Sequence, residues 1–233
     1  MAGSSEAAPR RRPARPRDAA SLVLLRCPKD NPEVLLGRRP KSARFMPGVY
    51  VFPGGAVERG DPAFAVAFEM RADVMARLAR HGGERRAKAL SWAAIRETWE
   101  ETGLLLGAAG RIDDRLTCPA GRAFTDAGLA PDLAALDYIA RAVTPTHSPI
   151  RFNTRFFVAD GGKVGGAIRE TGELEDIDWH PAADALERDD LMGVTRFVLG
   201  EARRNWLDQP RPDPERPIPT LSRWRGIRRI RAK

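Results

Sequence analysis

The sequence AAIRETWEETGL, residues 93–104, forms the end of a helical pattern that Gly103 closes. Glu97, Glu100 and Glu101 are spaced at i, i+3 and i+4, so their carboxylates project from one helical face. Like charges at this spacing repel each other and destabilise a helix. A divalent cation with oxygen ligands would offset the repulsion. The alternative is an ordinary solvated acidic face.

A tight turn upstream favours the cation. Phe52-Pro53-Gly54-Gly55 ends a short strand in bare backbone, which can approach a metal ion or a phosphate closely. With residues 93–104, this turn resembles the signature of the Nudix hydrolases, G-x5-E-x7-R-E-U-x-E-E-x-G-U, where U is aliphatic. Gly55 matches the first glycine, Asp61 the first acidic position, and residues 96–104 the second half.

The match departs from the signature in three ways. Asp61 replaces a glutamate, Thr98 takes an aliphatic position, and residues 62–95 number 34 where the signature has 7, an insertion of 27. Because the extra residues have a helical pattern from Asp61 to about residue 80, with capping signals at both ends, we predict a helical insertion over about 62–88. This separation leaves the usual structural role of Asp61 beside Arg96 open.

Other stretches indicate a branch of the family. Residues 44–55, 151–157 and 170–179 are similar to the peroxisomal acyl-coenzyme A diphosphatase branch, which also has an interrupted Nudix signature. The resemblance covers about residues 20–207. The last three residues are Arg-Ala-Lys rather than Ser-Lys-Leu, so no peroxisomal address is expected.

The body of the chain has the pattern of a mixed α/β domain. Residues 21–26 and 33–39 predict a hairpin, residues 137–143 a strand, and residues 191–207 an amphipathic helix. The resemblance implies a Nudix-type α/β/α sandwich with a mixed β-sheet, which we assign to residues 18–208.

The net charge of +8 lies at the two ends of the chain. Residues 1–17 carry +4 and residues 209–233 carry +6, which leaves −2 for the body. The composition of the first segment predicts a disordered basic arm. The second is a Pro- and Arg-rich tail, predicted to be solvated with a few apolar groups docked on the body. The rival interpretation is a nucleic-acid-binding protein on a catalytically silent body. Because Arg96 and the three glutamates are intact, we do not expect nucleic acid as a partner.

Composition excludes several other classes. No run of about 18 apolar residues is present, so no membrane span is expected. Cys27 and Cys118 are the only cysteines, so a disulfide scaffold is excluded and a cytoplasmic location is expected. The sequence lacks a G-x-S-x-G elbow, a P-loop and a G-x-G-x-x-G fingerprint.

The resemblance implies hydrolysis of a diphosphate bond in a small nucleoside diphosphate derivative, with Mg²⁺ or Mn²⁺ as cofactor. Coenzyme A or an acyl-coenzyme A is the first substrate to test. ADP-ribose, a dinucleotide or a capped RNA end remains open, because the same signature serves all of them. A homodimer is also left open, since many members of the family pair.

The resemblance also assigns site residues. The catalytic set is Arg96, Glu97, Glu100 and Glu101. The three glutamates are the implied metal ligands, joined by the Gly54 carbonyl, and Glu97 is left open between ligand and proton acceptor.

Five further residues are candidates at the edge of this site. Glu173 or Glu175 is the candidate distal ligand or base, although both also fit exposed loop acids. Arg38 and Arg44 are candidates to meet substrate phosphates, with surface arginines as the alternative. Gly55 completes the predicted substrate-binding set.

Overall fold

A mixed β-sheet with helices on both faces organises the computed structural model, which describes residues 14–43, 46–80, 82–113, 118–224 and 227–232. Beyond residue 222 only the backbone is described. The strands are β1 (Arg17–Arg26), β2 (Glu33–Arg38), β3 (Tyr50–Val51), β4 (Gly54–Ala56), β5 (Leu104–Leu105), β6 (Gly107–Ala109), β7 (Leu129–Pro131), β8 (Asp137–Val143), β9 (Phe152–Asp160), β10 (Gly165–Gly166), β11 (Glu175–Pro181), β12 (Pro219–Trp224) and β13 (Ile227–Ala232). The helices are α1 (Asp61–Ala65), α2 (Ala72–Ala79), α3 (Gly83–Thr102), α4 (Pro119–Asp126), α5 (Ala182–Glu187) and α6 (Gly193–Asp208).

The main sheet of the described residues has nine strands in the order β11-β2-β1-β9-β8-β12-β13, with β3 added to β2 and β4 added to β1. β1 pairs parallel with β9, and β8 pairs parallel with β12. The other pairs in this sheet are antiparallel, so the sheet is mixed.

Alternate residues of β1 face two separate hydrophobic cores. Leu22 and Leu24 are fully buried in one core with residues of α3, and Val23 and Leu25 are fully buried in the other with residues of α6. Because successive side chains of a strand point to opposite faces, a strand that is apolar throughout must be covered on both sides. The α/β/α sandwich predicted from the sequence is confirmed. No helix in the described ranges is long and apolar enough to cross a membrane.

The region before α3 corrects one expectation. A single helix was predicted from Asp61 to about residue 80, but the structure has two helices, α1 and α2, with a break between Ala65 and Ala72. Phe64 of α1 and Val74 of α2 are buried in the same core as α3. The apolar pattern therefore continues across the break. For this reason the sequence pattern alone does not show that the helix is interrupted there.

The C-terminal segment corrects another expectation. Residues 209–233 were predicted as a solvated tail, but Thr220, Leu221 and Ser222 of β12 pair in register with β8 and extend the main sheet. Pro219 is the first residue of the strand, a position where its missing N–H costs least. Residues 1–13 lie outside the described part of the chain, so the predicted disordered arm remains a prediction.

Candidate active site

The C-terminal half of α3 lies against the turn that contains β4. Gly103 ends the helix in the left-handed conformation, with φ of +79°, and its N–H donates to the carbonyl of Trp99 over 2.8 Å. Ile95 is fully buried in the core, which fixes the rotation of the helix. The apolar face of α3 therefore determines where the carboxylates lie, on the side that faces the turn.

Both glycines of the turn are required by close contacts. A Cβ on Gly55 would lie 2.4 Å from the carboxylate of Glu97, and one on Gly54 would lie 2.6 Å from the carbonyl oxygen of Ala20. The N–H of Gly54 donates to Oε2 of Glu101 over 2.9 Å. The bare backbone therefore lets the two carboxylates of α3 pack directly on the turn.

Arg96 is the hub of a buried network. Its guanidinium donates to both carboxylate oxygens of Asp61, at 3.1 and 3.2 Å, and to the carbonyl of Ala56 at 3.0 Å. It also donates to Glu97 at 3.0 Å and to Glu100 at 2.7 Å. Asp61 therefore lies beside Arg96 although 34 residues separate them in sequence, which resolves the question that the sequence left open.

Burial disfavours the ionised form of the carboxylates of this site. It raises the pKa of Glu97 to about 7, with Arg96 opposing the shift and Glu100 adding to it. It raises the pKa of Glu101 to about 8, with the Gly54 N–H opposing and Glu97 adding. The pKa of Glu100 is also raised by burial, against the charge of Arg96. The protein therefore supplies less positive charge than these carboxylates need.

A cavity of about 450 Å³ opens beside these groups. We call it the acidic cavity, because Glu97, Glu101 and Glu173 line it together with Gly54 and Gly55. Glu173 contributes to the raised pKa of both Glu97 and Glu101. The structure thus brings Glu173 to the predicted site. Its rival Glu175 is instead 3.9 Å from Arg38.

The arginines predicted to meet phosphates do not all reach the acidic cavity. Arg38 does not line it, and its guanidinium lies 3.9 Å from the carboxylates of Glu175 and Asp176. Arg44 is outside the described residues.

Arg39 and Arg17 do line the acidic cavity, and sequence reasoning missed both. The buried Nε of Arg39 has no hydrogen-bond partner among the described residues. The signal that could have found Arg39 is its place directly after Arg38. Neighbouring residues of an extended chain point to opposite sides, so Arg39 was the candidate on the side that Arg38 does not face.

The donor set suits a hard divalent cation, because it consists of buried carboxylates beside backbone carbonyls. The side chains are nevertheless held by the protein's own donors. Glu97 and Glu100 accept from Arg96, and Glu101 accepts from the N–H of Gly54. Within the described ranges, no three acidic, histidine or cysteine side chains converge closely enough to hold one ion. Each carboxylate uses one oxygen in these bonds, so cation binding requires the side chains to move closer together while the other oxygens stay free to contact the ion.

Known proteins with related sequences or folds agree with this architecture. No family model matches the chain. A Caenorhabditis elegans relative, named among nudix hydrolases, is 28% identical over 173 residues, which are 70% of this chain and 50% of that protein. The chain thus spans about half the length of this curated relative.

Two solved structures extend the comparison. A MutT protein from Bacillus halodurans shares the fold, with a TM-score of 0.50 at 15% identity over 93% of this chain and 97% of that one. A NUDIX hydrolase from Alicyclobacillus acidocaldarius is 32% identical, covers 82% of this chain and 96% of its own, and superposes with a TM-score of 0.64. With that identity over nearly the whole length of a solved relative, the chain belongs to the Nudix hydrolase family.

Proposed function

We propose that this protein hydrolyses a phosphoanhydride bond in a small nucleoside diphosphate derivative, using Mg²⁺ or Mn²⁺. One observation carries the proposal: the acidic cavity is lined by Glu97, Glu101 and Glu173, and two of these carboxylates have pKa values raised by burial. A diphosphate is itself strongly anionic. It can enter a carboxylate-lined cavity only with cations that neutralise both partners.

The chain's own residues have distinct proposed roles. Glu97, Glu100 and Glu101 would hold the cation together with the Gly54 carbonyl, and Glu173 would be a further ligand or the distal base. When bound, the cation would neutralise the phosphates and make a water molecule more acidic. Glu97 is either one of the ligands or the proton acceptor, since a pKa of about 7 suits a general base near neutral pH.

Arg96 is a positioning residue in this scheme. Its guanidinium holds the carboxylates of Glu97 and Glu100 and is itself fixed by Asp61. Its burial beside Asp61 anchors it to the start of α1, so it orients the carboxylates without facing the substrate.

The first substrate to test is coenzyme A or an acyl-coenzyme A. Support comes from the resemblance of residues 44–55 and 151–157 to the acyl-coenzyme A diphosphatase branch. Phe152 and Phe156, which belong to the second of these stretches, line the acidic cavity. We also propose that residues 62–88, which contain most of α1 and all of α2, are an insertion typical of that branch.

The test is phosphoanhydride hydrolysis with Mg²⁺ over a panel of coenzyme A, acyl-coenzyme A, ADP-ribose, a dinucleotide and capped RNA. Changing a residue that only supports a metal ligand typically lowers metal affinity or activity ~10–100-fold, and a ligand itself matters at least as much. The double variant Glu100→Gln, Glu101→Gln should therefore lose at least ~100-fold in kcat/KM. Unchanged metal-dependent turnover in that variant would refute the site. Turnover of ADP-ribose alone would keep the site and replace the substrate.

Glu173→Gln and Glu175→Gln form a matched pair for the distal acid. Both residues lie on the same segment, but only Glu173 lines the acidic cavity. We expect Glu173→Gln to lower kcat/KM and Glu175→Gln to leave it within about twofold, because an exposed acid outside the cavity contributes little. The reverse order would transfer the role to Glu175.

A further inference from the structure

Four arginines of the described residues line a small cavity between α2, β8 and β12. Arg77 lies in α2, and Arg80 directly follows that helix. Arg141 belongs to β8, and Arg216 precedes β12. The other residues of the lining are Tyr138, Ile218 and Thr220. Because no carboxylate of the described residues is part of the lining, we call this space the arginine cavity.

The arginine cavity lies on the opposite face of the sheet from the acidic cavity. Arg141 of β8 pairs with Arg155 of β9, so these two side chains share one face. Thr154 and Phe156, the neighbours of Arg155 in β9, line the acidic cavity. Successive residues of a strand point to opposite faces. The arginine cavity is therefore separate from the proposed active site.

The nearby carboxylates do not balance the charge of the arginine cavity. Ion pairs among the described residues join three carboxylates, those of Asp73, Asp137 and Glu215, to four arginines, Arg71, Arg77, Arg80 and Arg216. Arg141 adds a fifth guanidinium, which forms no ion pair with a described residue and donates from Nε to Oδ1 of Asn153 over 2.8 Å. The described groups therefore leave an excess of two positive charges.

The remaining C-terminal residues carry no negative charge that could balance this excess. Residues 223–233 contain arginines and one lysine but no aspartate or glutamate. The acid nearest to Arg80 is Glu215, whose side chain is 80% exposed and is therefore screened by water. The balancing charge is thus more effective if it comes from an anion inside the cavity, where water screens it less.

Arg141 is also destabilised by a second arginine directly opposite. Like charges at paired positions of neighbouring strands repel each other. Arg155 is compensated by Asp18, whose Oδ1 lies 3.1 Å from its Nη1, whereas Arg141 has no such partner among the described residues. Burial lowers the pKa of Arg155, and the charge of Arg141 adds to this shift. An anion beside Arg141 would relieve the repulsion.

The size of the arginine cavity limits what it can hold. Its volume is about 20 Å³, and roughly 10–15 Å³ of such space is enough for one water molecule. A single ion of similar size fits, whereas a nucleotide or an acidic side chain of a partner protein does not. A tetrahedral phosphate ion needs more room than one water molecule.

We infer that the arginine cavity binds one monatomic anion, chloride, with Arg141 as its main counter-charge. The ion would lie among groups of α2, β8 and the segment that leads into β12. It would therefore hold the C-terminal segment and α2 against the sheet. The inference is independent of the proposed function, because none of these groups lines the acidic cavity.

The test combines thermal unfolding with diffraction on the full-length protein. Sodium gluconate is replaced stepwise by sodium chloride at constant ionic strength, so that general screening stays the same. We expect a saturable rise in Tm, about 3–5 °C when chloride reaches ten times its Kd. Crystals grown in sodium bromide should show an anomalous peak beside the guanidinium of Arg141.

Variants locate the effect. Arg141→Gln should remove both the chloride-dependent rise in Tm and the bromide peak. Arg80→Gln changes another residue of the lining and should raise the Kd of chloride at least fivefold. The matched control is Arg204→Gln in α6, where the side chain is 63% exposed, and it should behave like the wild-type protein. If Arg141→Gln fails to fold, Arg80→Gln and the bromide peak of the wild-type protein decide.

Each outcome decides for or against the anion. A bromide peak at Arg141, with a chloride effect on Tm that Arg141→Gln removes, supports the inference. An equal chloride effect in the wild-type protein and in Arg141→Gln overturns it, and so does a bromide map without a peak in the arginine cavity. A peak without any chloride effect on Tm would mean an adventitious ion only and also overturns it. A rise in Tm with sodium phosphate but not with chloride would contradict the monatomic ligand.

Discussion

Arg96 and Asp61 form a two-contact ion pair between α3 and the first residue of α1. Nε of Arg96 lies 3.1 Å from Oδ1 of Asp61, and Nη2 lies 3.2 Å from Oδ2. Only 4% of the Arg96 side chain and 3% of the Asp61 side chain are exposed. The pair therefore ties the start of α1 to the helix that carries the glutamates, and little solvent weakens it.

Replacing Asp61 should destabilise the protein strongly. Asp61→Ala leaves the buried Arg96 without its main counter-charge, and removing one partner of a buried pair costs about 3–5 kcal/mol. We expect urea denaturation to show a loss in the free energy of unfolding at the lower end of that range, since Glu97 and Glu100 still accept from Arg96. The control is Glu58→Ala, a residue 3.9 Å from Arg96 and 69% exposed, where the loss should stay under about 1 kcal/mol. Equal losses in the two variants would contradict the importance of burial.

Gly55→Ala should reduce turnover without unfolding the protein. The new Cβ would lie 2.4 Å from the Glu97 carboxylate, so this side chain must move away. A displacement of about 1 Å at a reacting centre can cost ~100-fold in rate, and we expect a fall in kcat of that order in the hydrolysis assay. Gly60→Ala is the control, because Gly60 has φ of −79° and open space around its Cβ position. A normal kcat in Gly55→Ala would show that Glu97 has room to adjust.

The raised pKa of Glu101 predicts how stability depends on pH without divalent cations. The folded protein keeps a proton on this carboxyl up to about pH 8, whereas the unfolded chain releases it near the ordinary value of 4.5. Folding therefore binds a proton in this window, and stability falls as pH rises through it. Each unit of pKa corresponds to about 1.4 kcal/mol.

Glu101→Gln removes this titration and keeps an acceptor for the Gly54 N–H. In EDTA, the variant should lose less Tm than the wild-type protein between pH 5 and pH 9. Added Mg²⁺ should raise the wild-type Tm at pH 8 more than that of the variant. Parallel Tm curves for the two proteins in EDTA would contradict the assigned pKa.

The sequence predicted the parts of the site that depend on local spacing. Glu97, Glu100 and Glu101 share a face because a helix has a fixed period, and the period is visible without a structure. The contact between Asp61 and Arg96 was not visible in this way, because it depends on how α1 and α2 return the chain to α3. The place of Arg39 depends in the same way on the face of the sheet that β2 presents.

The C-terminal segment shows a different limit of sequence analysis. Its prolines and arginines favour an extended, solvated chain, and local propensity gave the wrong expectation. β12 forms because β8 offers a free edge in parallel register with Thr220, Leu221 and Ser222. Strand addition is decided by the partner strand and by burial, which are properties of the fold rather than of the segment.

Arg39→Ala should weaken substrate binding. Arg39 lines the acidic cavity, and its buried Nε lacks a partner among the described residues. A hydrogen bond to a charged group contributes about 1.5–3 kcal/mol, so KM for the diphosphate substrate should rise ~10- to 100-fold with a smaller change in kcat. Arg204→Ala, on the surface of α6, is the control and should leave KM unchanged. The same assay on Arg38→Ala tests the earlier candidate, and a larger effect there than in Arg39→Ala would restore it.

Arg216→Ala should loosen the C-terminal strand. Arg216 donates to both carboxylate oxygens of Asp137, a buried acid that also accepts from Arg77 at 2.8 Å and from Asn205 at 2.9 Å. Because Asp137 keeps those two donors in the variant, the body should stay folded. The loss of stability should be confined to β12, whose pairing with β8 is short.

Hydrogen exchange with mass spectrometry measures this effect directly. We expect faster exchange in Arg216→Ala for peptides that cover β12, with unchanged protection in β9 at the centre of the sheet. The matched control is Glu215→Ala, which removes the nearby ion pair between Arg80 and a residue 80% exposed. An exposed pair contributes at most about 1 kcal/mol, so this control should exchange like the wild-type protein. Equal exchange in all three proteins would mean that pairing with β8 alone holds the strand. Faster exchange throughout the sheet would mean that Arg216 stabilises the whole domain through Asp137.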